Sequence, residues 1–180
     1  MKLYIFGASG SGVTTLGQAL GLYLDIPYFD SDNYFWVPTV PPFTIKREPT
    51  ERNSMISREL KIAPDWIFGG SALNWGADVF PPFDGVVFLW IPADIRMQRL
   101  KERERFRYGN ALDAEMKEQH EDFLEWAADY DNNTGIANRT LQVHEEWLSK
   151  MTMPVLTLRG DMSLEERMEK IMEWSRNNHL

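Results

Sequence analysis

Residues Gly7–Leu16 read GASGSGVTTL. Gly7 and Gly12 stand at the two glycine positions of the pattern G-x-x-x-x-G-K-[ST], and Thr14 at its hydroxyl position. The lysine position holds Val13. Glycines let successive N–H groups turn toward one point, and a helix that starts there adds its dipole. The stretch therefore suits a phosphate, with backbone contacts from Gly7, Gly10, Gly12 and Val13. Ser9, Ser11, Thr14 and Thr15 add hydroxyl donors, and Thr14 is placed to ligate Mg²⁺. Valine cannot supply the point charge a lysine places on the β- and γ-phosphates. Backbone binding survives that change. Losing one such electrostatic contact costs about 10²–10³ in rate.

The flanks agree with this reading. Lys2–Phe6, KLYIF, reads as a buried strand running into the loop, and apolar residues at Leu16, Ala19, Leu20, Tyr23 and Leu24 have helical spacing up to Pro27. Further strands are expected at 26–29, 65–68, 85–91 and 153–158, with 85–91, GVVFLWI, buried on both faces. Helices are expected at about 50–62, from 93 onward, at 111–130 and 137–150, and after the capping box Ser163/Glu166. Gly109-Asn110 breaks the long helical stretch. Residues 33–49, rich in proline and aromatics, read as a covering loop. Strands alternating with helices predict a parallel sheet with helices on both faces.

The chain has 180 residues, the size of one domain. It has no cysteine, which excludes disulfides, thiol catalysis and cysteine-held metals. A net charge of −8 disfavours an extended nucleic-acid surface, though a small anion sees only local charge. The apolar run at the start is about five residues, shorter than a signal-peptide core, and no stretch is long enough to span a membrane. A cytoplasmic location is expected. Seven tryptophans exceed what a small core needs, so some are expected to line a pocket.

Other residues fall at the carboxyl ends of the strands, where parallel sheets bind ligands. Asp30 and Asp32 follow the second strand: one is suited to Mg²⁺ and one to accepting a hydroxyl proton. Gly69-Gly70-Ser71 follows the third, where glycines allow a ligand close to backbone N–H groups. Trp36 and Trp75 are candidates for an aromatic wall around a substrate. Arg96, Arg99, Arg103 and Arg107, spaced 3, 4 and 4, are expected to share a helical face, with Arg96 on a solvated, salt-bridged part of it. Arginine's planar fork suits a triphosphate, and Arg139 is expected to fold back onto the same anion. His120, His144 and His179 lack metal-ligand spacing and read as surface or structural.

With these residues in place the chain resembles the nucleoside monophosphate kinase and shikimate kinase group of P-loop kinases. It looks most like the adenylate-kinase-related proteins within that group. GASGSGVTT, Asp30-Ser31-Asp32, Gly69-Gly70-Ser71, GVVFLWIPADIRMQRLKERERFRYG and VLTLRGDMSLEERMEKI carry the likeness across nearly the whole chain. The resemblance implies a three-layer αβα P-loop fold with a five-stranded parallel sheet in the order 2-3-1-4-5. It implies a substrate segment at about 33–62 and a lid at about 103–139. ATP and Mg²⁺ are the implied cofactors, with Thr14 and Asp30 at the metal and Asp30 or Asp32 at the substrate hydroxyl. Arg103, Arg107 and Arg139 would close over the phosphates, Arg47 or Arg52 would hold a substrate anion, and Arg159 would lie against the adenine. The chain departs from the group at Val13 and in NYFWVPTVPP, so the acceptor, a nucleotide or other small molecule, is unassigned. Three functions compete: an ATP-dependent phosphotransferase with arginines replacing the lysine charge, a nucleotide-binding sensor with little or no turnover, and a kinase of nucleic-acid ends. Lys46 is a further candidate for the missing charge.

Overall fold

The computed structural model describes residues 1–108 and 114–180. The expected break at Gly109-Asn110 and the expected helix start at 111 lie outside the described residues.

Five strands form one parallel sheet: β1 (Lys2–Gly7), β2 (Tyr28–Asp30), β3 (Trp66–Gly69), β4 (Gly85–Trp90) and β5 (Val155–Arg159). Their order is β2-β3-β1-β4-β5, as the resemblance implies. Side chains alternate across a strand, and β1 shows the result. Tyr4 and Phe6 enter a core with Trp66, Phe68, Phe88, Ile56 and Trp75. Leu3 and Ile5 enter the opposite core with Val87, Leu89, Leu16, Leu20 and Ile171. Both faces are covered, which accounts for the continuous apolar run of β4.

The helices are α1 (Val13–Leu24), α2 (Ser31–Phe35), α3 (Pro49–Ile62), α4 (Ala93–Tyr108), α5 (Ala114–Asn132), α6 (Leu141–Leu148) and α7 (Leu164–Asn177). α2 was not expected. The Asp30 side chain accepts the Asp32 N–H and caps this short helix, so Asp-Ser-Asp starts a helix where a loop was foreseen. α6 starts at 141 because Thr140 caps it through the Val143 N–H. Residues 133–139 are thereby left as a turn. The capping box at Ser163 and Glu166 is present at the start of α7.

Register brings the carboxyl ends together. Asp30 stands opposite Gly69, Ile5 opposite Gly69, Gly7 opposite Leu89, and Trp90 opposite Arg159. Among the described residues no helix is long and apolar enough to cross a membrane.

Candidate active site

The glycine loop joins β1 to α1. Gly10 and Gly12 have φ of +82° and +90°, a conformation that favours glycine. Gly12 is the N-cap of α1 and no side chain caps the helix, so its first N–H groups are left for a ligand. The Ser11 N–H closes back onto the Ala8 carbonyl at 3.1 Å, and the buried Ser11 hydroxyl has no partner. Ser9 and Thr15 are partly or fully exposed on the same turn. Val13 is buried against Leu3, Ile5, Leu16 and Ile171. The position of the missing lysine belongs to the core.

Across from the loop, Asp30 Oδ2 accepts hydrogen bonds from Thr14 Oγ1 and from the Tyr28 hydroxyl, both at 2.8 Å. A hydroxyl and a carboxylate oxygen at the mouth of a phosphate loop form an oxygen pair that fits Mg²⁺, which takes few protein ligands and completes its shell with phosphates and water. Burial pushes the Tyr28 hydroxyl well above its ordinary pKa, and the Asp30 carboxylate adds to the rise. It stays a donor and fixes Asp30.

Asp32, exposed in the first turn of α2, donates its N–H to Asp30 Oδ1 at 3.0 Å. Desolvation raises its carboxyl from the ordinary value, Asp30 adds to the rise, and Arg139, Arg103 and Arg107 oppose it. The three arginines foreseen around a phosphate are thus gathered within electrostatic reach of one carboxylate. Each is held differently. Arg139 stacks on Trp126 at 4.8 Å, and desolvation lowers its pKa while Asp32 and Tyr4 sustain its charge. Its turn is tied by Asp129, which accepts from Thr134 N, Thr134 Oγ1 and Ala137 N at 2.6–2.8 Å. Arg103 and Arg107 both reach the buried carboxylate of Glu104, at 2.9 and 3.4 Å, and Arg107 also lies over Phe43 at 4.8 Å.

Arg96 is the largest departure. It was expected on a solvated face, yet it is 0% exposed. Its Nη1 donates to the Ser9 carbonyl at 3.1 Å, and its Nη2 pairs with Asp131. At 3.6 residues per turn the four arginines do fall on one face of α4, as their spacing predicts, but that face is buried at Arg96 and becomes exposed toward Arg103 and Arg107.

The chain is 42% identical over 179 residues to the uncharacterized protein YqaC of Bacillus subtilis (strain 168), covering 98% of each. The chain belongs to the YqaC family. No protein-family model matches it. In structure it is similar to a sugar kinase from Janibacter sp. (TM-score 0.55, 16% identity, 96% and 92% of the two chains) and a deoxyadenosine kinase from M. mycoides (0.55, 15%, 98% and 99%). A shikimate kinase from Aquifex aeolicus is comparable (0.53, 20%, 99% and 98%). The fold of this YqaC-family chain is that of the P-loop kinases.

The residues expected to meet an acceptor are more tightly engaged than their types suggested. A Cβ on Gly69 would lie 2.3 Å from the Tyr28 hydroxyl, and one on Gly70 would lie 1.9 Å from Ser31 Oγ. The room these glycines leave is filled by the protein's own side chains. The Gly70 N–H is bonded to the Ile5 carbonyl, and the buried Ser71 hydroxyl has no partner. Trp75 is a core residue on Phe68 and Phe80. Arg52, also buried, stacks on its indole at 4.2 Å, and burial lowers the arginine's pKa. Trp36 contacts Phe35 and Phe43 and bridges to the exposed Lys46. Arg47 braces this turn through the Tyr34 and Trp36 carbonyls and Glu51. Arg159, at the end of β5, pairs with Glu145 at 2.5 Å and lies over Trp90.

Sequence reasoning missed Tyr28 and Arg167. Arg167, on α7, donates to the Ser11 carbonyl at 2.9 Å. Its signal was present, since Leu164, Arg167, Met168, Ile171 and Ser175 form one stripe, and an arginine inside an apolar stripe needs an internal partner.

Proposed function

We propose that the chain is an ATP-dependent phosphotransferase acting on a nucleotide or other small-molecule hydroxyl. One observation carries the reading: Asp30 accepts from Thr14 at the mouth of the glycine loop and, through the Asp32 N–H, fixes an Asp32 whose carboxyl feels the charge of Arg139, Arg103 and Arg107. Positioning and electrostatics are the main work of such an active site. When bound, Mg²⁺ and ATP would supply the phosphoryl group and neutralise part of its charge. The chain's own groups do the rest. Backbone N–H groups of Gly10, Gly12 and Val13 and the hydroxyls of Ser9, Ser11, Thr14 and Thr15 hold the phosphates. Thr14 and Asp30 hold the metal. Asp32, whose raised pKa favours proton acceptance, takes the acceptor's proton. Arg103, Arg107 and Arg139, in a lid at 103–139, balance charge on the moving phosphoryl group. Arg159 flanks the base. The acceptor lies over 33–62 and Gly69–Ser71, near Trp36, Arg47, Arg52 and Trp75.

Sugar kinase, deoxyadenosine kinase and shikimate kinase share this fold, so the fold alone leaves the acceptor open. The test is incubation with γ-labelled ATP, Mg²⁺ and a panel of sugars, nucleosides, nucleotides and hydroxy acids. Label is expected on one acceptor class. Protein that binds ATP but moves no label to acceptor or water contradicts the reading.

The burial of Val13 favours a second reading, a nucleotide-binding sensor with weak or no turnover. It expects ATP binding and a response in the 103–139 stretch without transfer.

A further inference from the structure

Val13 deprives the loop of its own cation, and Lys46 lies exposed on the turn whose backbone bridges to Trp36. The loop nevertheless meets two buried guanidiniums, one at each end. Arg96 holds the Ser9 carbonyl and is matched one to one by Asp131, so that end is electrically neutral. Arg167 holds the Ser11 carbonyl at 2.9 Å, and a Cβ on Gly12 would lie 2.9 Å from the same nitrogen. That end is matched less closely. Asp161 Oδ1 lies 2.6 Å from Arg99 but 3.9 Å from Arg167. Glu166, which also acts on Arg167, is exposed, so solvent and salt weaken its hold on the buried guanidinium.

The location makes this loose pairing costly. Gly12 caps α1, and a helix N-terminus carries about half a positive charge. A second cation there is opposed by the dipole and by Arg99. Buried charges are normally paired. An anion on the loop would complete the pairing. A hydrogen bond at the Ser11 carbonyl also polarises the Ser11–Gly12 peptide, which strengthens its N–H as a donor.

We propose that Arg167, seconded by Arg99, supplies the fixed positive charge of this phosphate loop from the terminal helix, in place of the lysine that Val13 displaces. The ligand class is a polyphosphate anion. The proposal rests on the phosphate-binding part of the function proposed above. Arg167 acts through the loop's peptide as a positioning and electrostatic residue.

The test is calorimetric titration of the full chain with inorganic tripolyphosphate, Mg-ATP and adenosine, at low and moderate salt. Wild type is expected to bind the first two. Arg167→Met is expected to weaken both by about ten- to a hundredfold, leaving adenosine unchanged. Arg167→Lys is expected to recover most of the loss. Arg176→Met, on the outer face of α7, is expected to match wild type. Asp161→Asn leaves every arginine in place and removes the shared counter-charge, so tripolyphosphate is expected to bind several-fold tighter, most clearly at low salt. Arg167→Met binding like wild type, or Asp161→Asn binding no tighter, overturns the proposal while leaving phosphate binding intact. If Arg167→Met does not fold, Arg167→Lys and Asp161→Asn still decide. Wild type that binds neither tripolyphosphate nor ATP overturns phosphate binding itself, and this assignment with it.

Discussion

The arginines around the glycine loop form two groups that differ in how they are held. Arg96 and Arg167 are buried and bonded to loop carbonyls, from α4 and α7. Arg103 and Arg107, in the last turns of α4, and Arg139, just before α6, act on Asp32 and are held by Glu104, by aromatic faces and by a turn tied to Asp129. The first group is fixed by the core. The second sits on side-chain contacts at a cleft. Under the proposed function, the difference would separate a charge that shapes the ground-state site from charges that act on the reacting group. Substitutions in the second group should therefore cost rate, while Arg167 should cost binding.

The largest effect is expected at Arg139. Arg139→Met should lower phosphoryl transfer by about 10²–10³ and leave ATP affinity within a few-fold. Equal losses of rate and affinity would merge the two groups. Val13→Lys tests the first group from the other side. It places an ammonium in the core beside Arg167, so denaturant unfolding should show a loss of about 2 kcal/mol or more, with no gain in transfer. A stable, faster Val13→Lys enzyme would mean the loop simply lacks its lysine. Tyr28→Phe removes one donor from Asp30 and leaves the ring in the space provided by Gly17 and Gly69. About a tenfold loss in transfer is expected, relieved by raised Mg²⁺ if the defect lies in holding the metal.

The smallest effect concerns pH. Burial pushes His144 down to about 3, with Arg139 adding to it, against an ordinary value of 6.5. The unfolded chain takes up this proton below pH 6.5 and the folded chain does not, so His144 contributes to a fall in stability as pH drops from about 6.5 toward 3. His144→Phe should flatten that part of the stability curve. An unchanged slope would mean that other groups carry it.

The fold was legible because its signals are local. Apolar runs bounded by turn residues gave the strands, and GASGSGVTT between strand and helix gave the loop. The positions of Asp30 at the end of β2 and of Arg103 and Arg107 one turn apart on α4 were legible through spacing. Direction was not. A helical count puts Arg96 on one face with Arg103 and Arg107, but it does not show that the fold buries the first of them and leaves the others exposed. Gly69-Gly70 read as room for a ligand because the partners that need the room, Tyr28 and Ser31, come from another strand end. Arg167 lies 156 positions from the carbonyl it serves, a distance no local pattern spans.

The most direct measurement is label transfer from γ-labelled ATP by wild type and by Asp32→Asn under identical conditions, with ATP affinity and unfolding measured on both. Because Asp32 has a raised pKa, its ionised form costs stability once pH rises through that value, so the amide variant should be at least as stable near neutral pH. The predicted result is transfer by wild type that falls by about 10² or more in the variant, with ATP affinity retained. Transfer by Asp32→Asn at the wild-type rate, or no transfer by wild type that binds ATP, would contradict a phosphotransferase site built around Asp32.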